Sequence, residues 1–102
     1  MPITVRLRNA AGDYVATLVD PTNALGRILP LPDDEDFSLV NAIDPYGVTD
    51  FKSADMPELV EEFRRLAERE LVSDDREFLA QVMRLAERSA TDPTLRLRFV
   101  GD

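Results

Sequence analysis

The sequence predicts an α+β fold: a mostly antiparallel five-stranded sheet in the order β-β-β-β-α-α-β, with an αα-hairpin packed on one face. Three observations carry this. Residues 3–8 (Ile-Thr-Val-Arg-Leu-Arg) and 95–100 (Leu-Arg-Leu-Arg-Phe-Val) both alternate apolar with polar side chains, the period of a strand with one buried face. Residues 55–91 hold two stretches with apolar residues at helical spacing. Asn, Asp, Gly and Pro punctuate the first half of the chain at short intervals, as turns between strands do. A length of 102 residues fits one domain, spanning residues 1–102.

The first strand, residues 3–8, is followed by Asn9-Ala10-Ala11-Gly12-Asp13, a turn in which Gly12 can take a positive φ. Tyr14 to Val19, rich in β-branched and aromatic residues, completes a hairpin. Asp20-Pro21 ends it. Thr22 to Leu29 is compatible with a short helix capped by Asp20 or Thr22, and Pro30 and Pro32 then stop regular structure. Phe37 to Ile43 is read as a third strand, although its apolar residues do not alternate cleanly. Asp44-Pro45-Tyr46-Gly47 has the composition of a type I turn, and Val48 to Lys52 would close a second hairpin.

Asp55-Met56-Pro57-Glu58 marks a helix start, with Asp55 as cap, Pro57 in the first turn and Glu58 at capping-box spacing. Met56, Leu59, Val60, Phe63, Leu66, Ala67 and Leu71 form its apolar stripe, with Glu61, Glu62 and Arg65 on the opposite side. Ser73 opens a second helix, with Phe78, Leu79, Val82, Leu85, Ala86 and Ala90 facing inward and Thr91-Asp92-Pro93 ending it. The short link makes the two an antiparallel pair. The last strand would lie antiparallel beside the fourth strand, or parallel beside the first.

The chain has neither cysteine nor histidine. Disulfides, thiol nucleophiles and Ser-His-Asp or Cys-His constellations are excluded, and no cofactor is indicated. The net charge of −8 is uneven: residues 33–62 set Lys52 against ten acids, whereas residues 1–32 carry a net +1 and residues 63–102 are balanced. An acidic chain disfavours nucleic-acid binding driven by phosphate neutralisation. No apolar run approaches the ~20 residues of a membrane helix, and no basic-then-apolar leader opens the sequence, so a cytoplasmic protein without membrane contact is expected.

Both end strands direct arginines away from the core. If the strands are neighbours, Arg6, Arg8, Arg96 and Arg98 gather on one surface, where guanidinium forks would grip carboxylates or phosphates. Charged outer sheet faces are common, and pairing with Asp50 is the competing account. The acidic run Asp33-Asp34-Glu35-Asp36 lacks the ligand spacing and central glycine of an EF-hand loop, so it reads as a solvated loop and no metal site is assigned. Asp44, Tyr46 and Asp50 read as turn chemistry rather than an acid–base pair. The helix stripes read as core rather than as a groove for a partner, leaving Leu71 and Val72 as the exposed apolar pair.

From Asp44 onward the chain resembles a group of small uncharacterised bacterial proteins. The matching pieces are Asp44-Pro45-Tyr46-Gly47 followed by Phe51, Met56-Pro57 with Leu59 and Glu61-Glu62, Leu85-Ala86-Glu87, and Leu97-Arg98-Phe99-Val100-Gly101-Asp102. The resemblance covers about half of the chain and brings no activity, ligand or catalytic residue with it. The expected function is therefore a small non-catalytic binding module. It would use the arginine face and the acidic middle segment to hold a protein partner or a second copy of itself. The alternative is an enzyme or ligand-binding domain for a small anion gripped by the same arginines, with Asp50 or Tyr14 nearby.

Overall fold

The computed structural model describes residues 3–20, 24–25, 37–44, 46–69 and 72–101. Among them four strands form one sheet: β1 (Thr4–Arg8), β2 (Tyr14–Val19), β3 (Val48–Phe51) and β4 (Arg96–Val100). Their order is β2-β1-β4-β3, and every neighbouring pair is antiparallel. Two helices, α1 (Met56–Ala67) and α2 (Ser73–Thr91), pack against each other and cover one face. No helix among the described residues is long and apolar enough to cross a membrane.

The expectation of five strands is corrected to four. Residues 37–43 do not form a strand; Val40–Ala42 is a 3₁₀ turn. The reason lies in a spacing of three. Phe37, Val40 and Ile43 are each buried, and residues i and i+3 eclipse one another on a 3₁₀ spiral, not on a strand. The second hairpin disappears with that strand. Its turn survives as the entry to β3: Gly47 N–H donates to Asp44 O at 3.3 Å, and Tyr46 N–H to Asp44 Oδ1 at 2.9 Å.

Losing one strand reverses the direction of every later element. β3 therefore runs as β1 does, the helix pair brings the chain back to the far end of the sheet, and β4 enters between β1 and β3, antiparallel to both. Of the two placements open to the last strand, the antiparallel one beside Val48–Phe51 occurs; beside the first strand it is antiparallel, not parallel.

The β1–β2 hairpin forms as read. Asn9 Oδ1 accepts the N–H groups of Ala11 and Asp13 at 3.0 and 2.9 Å, an Asx arrangement. Gly12 takes φ +91°, where any other residue would be strained. Asp20 caps the helical residues Ala24 and Leu25 by accepting both N–H groups, at 2.7 and 2.9 Å. The remainder of the expected helix over 22–29, and the acidic run 33–36, lie outside the described residues.

α1 begins where expected, but Asp55 does not cap it. Its Oδ2 instead accepts Lys52 N–H at 3.1 Å and closes the 3₁₀ turn Ser53–Asp55. Glu62, assigned above to the solvent side, is buried with its carboxylate turned to the backbone of Leu39 and Val40. On α2, Ser89 rather than Ala90 is inside. Its Oγ donates to Leu95 O at 2.8 Å, and Ser53 Oγ donates to Ser89 O at 2.6 Å. These two bonds tie the start of α1, the end of α2 and the approach to β4 together. Val72 is exposed as expected; its companion Leu71 lies outside the described residues.

The core lies between the inner sheet face (Val5, Leu7, Phe51, Leu97, Phe99) and the helix stripes (Met56, Leu59, Phe63, Leu66, Leu79, Val82). Alternation along β1 and β4 then sets every arginine of the two strands on the other side of the sheet.

Candidate functional site

Register decides what the outer face looks like. β1 and β4 pair Arg6 with Arg98 and Arg8 with Arg96, so the four arginines are brought together in two like-charged cross-strand pairs. Such pairs are unfavourable in a sheet unless a counter-charge meets them. Asp50 is the single acid within the four strands, and it lies opposite Arg98.

The face is layered in three rows across the strands. The first is Val19, Thr4, Val100 and Val48; the second is Thr17, Arg6, Arg98 and Asp50; the third is Tyr14, Arg8 and Arg96. Val19 and Val48 are 60% and 57% exposed, so the first row is an apolar border. The third row lies about 13 Å away, four residues along β1 at ~3.3 Å each. A bulge in the β1–β2 ladder beside Arg8 carries Tyr14 over the arginines.

In the second row Arg98 and Asp50 satisfy each other. Arg98 forks Asp50, with Nε to Oδ1 at 2.8 Å and Nη2 to Oδ2 at 3.0 Å, and its Nη1 donates to the Tyr14 hydroxyl at 3.3 Å. Arg6 stacks on the Tyr14 ring, its Cζ 4.5 Å from the centroid. Arg6 Nε is buried and finds no acceptor among the described residues. The hydrogen bond from Arg98, followed by the fields of Arg98, Arg8 and Arg96, holds the Asp50 carboxyl below the usual carboxylate range. The guanidinium groups of Arg6 and Arg98 lower the Tyr14 hydroxyl, and Asp50 raises Arg98 further above its already high value.

A folded-state pKa below that of the unfolded chain stabilises the fold above the unfolded value and loses that contribution as pH falls through the folded one. Asp50→Asn is therefore expected to lower the denaturation midpoint at pH 7, and the gap from the native chain is expected to shrink as pH falls from 7 into the acid range and Asp50 is protonated. The difference is small, because the Asp50 side chain is 37% exposed and salt screens the pair. Urea titrations of both proteins across this range measure it; a gap that persists undiminished in acid would contradict the assignment.

The two arginines of the third row are open. Arg8 and Arg96 have no ion pair or side-chain hydrogen bond among the described residues. A cleft of about 340 Å³ lies beside them, lined by Arg8, Asn9, Ala10, Pro93, Thr94 and Arg96. A second, of about 420 Å³, lies on the other side of Arg96 and is lined by Lys52, Ser53, Ala54 and Pro93 as well. Lys52 belongs to the site and was missed in the sequence. Its signal is the alternation Val48, Asp50, Lys52, which carries the outer face one step past the end of β3.

Asp44 and Tyr46, weighed with Asp50 as acid–base candidates, are not brought to it. Asp44 is occupied by its own turn, and Tyr46 is 73% exposed. Among the described residues no three carboxylates converge. The arrangement is suited to gripping anions by charge and fork geometry. No family model, curated protein or solved structure matches this chain.

Proposed function

We propose that this chain is a non-catalytic interaction module whose outer sheet face docks an acidic segment of a partner protein. The carrying observation is that two arginine pairs stand opposite each other in register with one acid to offset them. Four guanidinium groups on a chain of net charge −8 form a local field of opposite sign to the whole. An incoming carboxylate-rich segment relieves the repulsion between them. The surroundings support a protein surface as occupant. Tyr14 and the arginines are residue types enriched at interface centres, and the border of exposed Val19 and Val48 with half-buried Val100 offers an apolar contact beside the charged rows. A second copy could supply the acids from its own residues 33–62; nucleic acid and membrane are disfavoured by net charge and composition.

The test is a calorimetric titration with a blocked ten-residue peptide of alternating aspartate and valine. Binding is expected to weaken steeply between 50 and 300 mM salt and to fall at least ~10-fold when Arg6, Arg8, Arg96 and Arg98 are all changed to serine. Equal affinity of the serine variant would remove the face from consideration. Light scattering at both salt concentrations identifies self-association: a dimer that dissociates in salt makes a second copy the occupant.

A further inference from the structure

The four arginines are alike in sequence and unlike in their surroundings. Arg98 has both edges of its fork engaged, two nitrogens on Asp50 and the third on Tyr14. Arg6 lies against the Tyr14 ring with Nε shut away from solvent. Arg98 has no free two-point edge to present to a newcomer without first giving up a contact inside the face, and Arg6, with Nε buried and its plane held against Tyr14, keeps only its Nη1/Nη2 edge. Arg8 and Arg96 face each other in register, where side chains begin ~5 Å apart. They are open to the 340 Å³ cleft, and Arg96 shares the adjoining one with Lys52.

We propose that the face anchors its partner at this end only: Arg8, Arg96 and Lys52 clamp one carboxylate of the acidic segment, while Arg6 and Arg98 are positioning residues. The inference rests on the docking reading above and assigns its anchoring group. The two walls of the clamp are held by short-range bonds. Asn9 Oδ1 fixes the turn after Arg8 through Ala11 and Asp13 N–H. Asp92 Oδ1 fixes the turn before Arg96 by accepting the Thr94 N–H at 3.0 Å and the Thr94 hydroxyl at 2.7 Å. Both acceptors are thus held by nearby donors, and the cations at the mouth have the incoming carboxylate as their partner. Asp50, the nearest acid in the strands, is held by Arg98 in the row behind. The apolar border lies at the opposite end of the face, so the segment is read as a carboxylate at one end and an apolar residue about 13 Å away at the other.

Single Arg→Gln variants test this, because each removes the same unit of charge. With the aspartate–valine peptide, Arg8→Gln and Arg96→Gln are expected to weaken binding about tenfold, and Arg6→Gln and Arg98→Gln by no more than about threefold. Equal losses at all four positions would mean that the peptide senses only the overall field, which overturns the clamp and leaves the docking face standing. Arg98→Gln strands Asp50 and can compromise folding, so Lys variants accompany the series. Arg96→Lys keeps its charge but loses the fork, and about a fivefold weakening is expected; Arg98→Lys should stay within about twofold. An Arg98→Lys variant as impaired as Arg96→Lys overturns the clamp. A native chain that does not bind the peptide overturns the docking reading and the clamp together.

Discussion

Replacing Phe99 with alanine is expected to destabilise the fold by about 3–5 kcal/mol, the range for deleting a fully buried aromatic ring. Phe99 has no solvent exposure. It sits on β4, an inner strand of the sheet, opposite Val5 on β1 and Thr49 on β3. Its ring meets Phe51 edge-on, with centroids 5.7 Å apart at 85°, and lies tilted against Phe63 of α1 at 6.2 Å. One side chain thus joins three strands to the helix layer, and no neighbour can fill the space without leaving its own contacts. A domain of this size is stable by only ~5–15 kcal/mol, so the loss is a large share of the total. Phe99→Leu retains most of the volume and should cost less. Val100→Ala, one residue later on the outer face, should change stability by no more than about 1 kcal/mol. Urea denaturation of the three variants measures the ranking. A Phe99→Ala loss below about 1 kcal/mol would mean that the core collapses onto the site, contrary to the packing described.

The parts of this fold that were legible in the sequence are those where one periodicity governs several residues in a row. Ile3 to Arg8 and Leu95 to Phe99 alternate without interruption, and Thr4–Arg8 and Arg96–Val100 are strands. The stripe through Met56, Leu59, Phe63 and Leu66 places α1. Where the period is three, over Phe37, Val40 and Ile43, the apolar run reads as a strand in the sequence and folds around a 3₁₀ turn. The difference propagates, because the number of strands before the helix pair sets the direction of the last one. The arginine cluster was legible on the condition that the terminal strands are neighbours, which they are. Which arginines remain open was not legible. That depends on Tyr14 crossing from β2 and Asp50 from β3, contacts separated by 84 and 48 residues from Arg98. Periodicity along one strand carries no information about partners on another. Glu62 shows the same limit: its helical position read as a charged outer face, and only the tertiary fold shows backbone donors waiting for it.

Glu62→Ala is the second large effect, and it acts through the very segment the sequence misassigned. Glu62 is 1% exposed. Oε1 accepts the N–H groups of Leu39 and Val40 at 3.1 and 3.0 Å, and Oε2 accepts Leu39 N–H at 3.3 Å. A 3₁₀ turn leaves its leading N–H groups without partners in the turn itself, and here a side chain from α1 supplies the acceptor. The burial of Phe37, Val40 and Ile43 depends on that turn being held against the helix. Removing the carboxylate leaves two donors stranded beside an apolar core and opens a void, for an expected loss of about 3–4 kcal/mol. Glu62→Gln keeps an oxygen that accepts both N–H groups but sets an amide donor where Oε2 also accepts Leu39 N–H, so an intermediate loss of ~1–2 kcal/mol follows. Amide hydrogen exchange separates this from a general weakening. In Glu62→Ala, Leu39 and Val40 should exchange far faster relative to Phe99 on β4 than they do in the native chain, because the turn detaches before the sheet opens. If all three amides accelerate by the same factor, the carboxylate is supporting the whole fold rather than clasping this turn, and the account of why residues 37–43 are not a strand would have to be replaced.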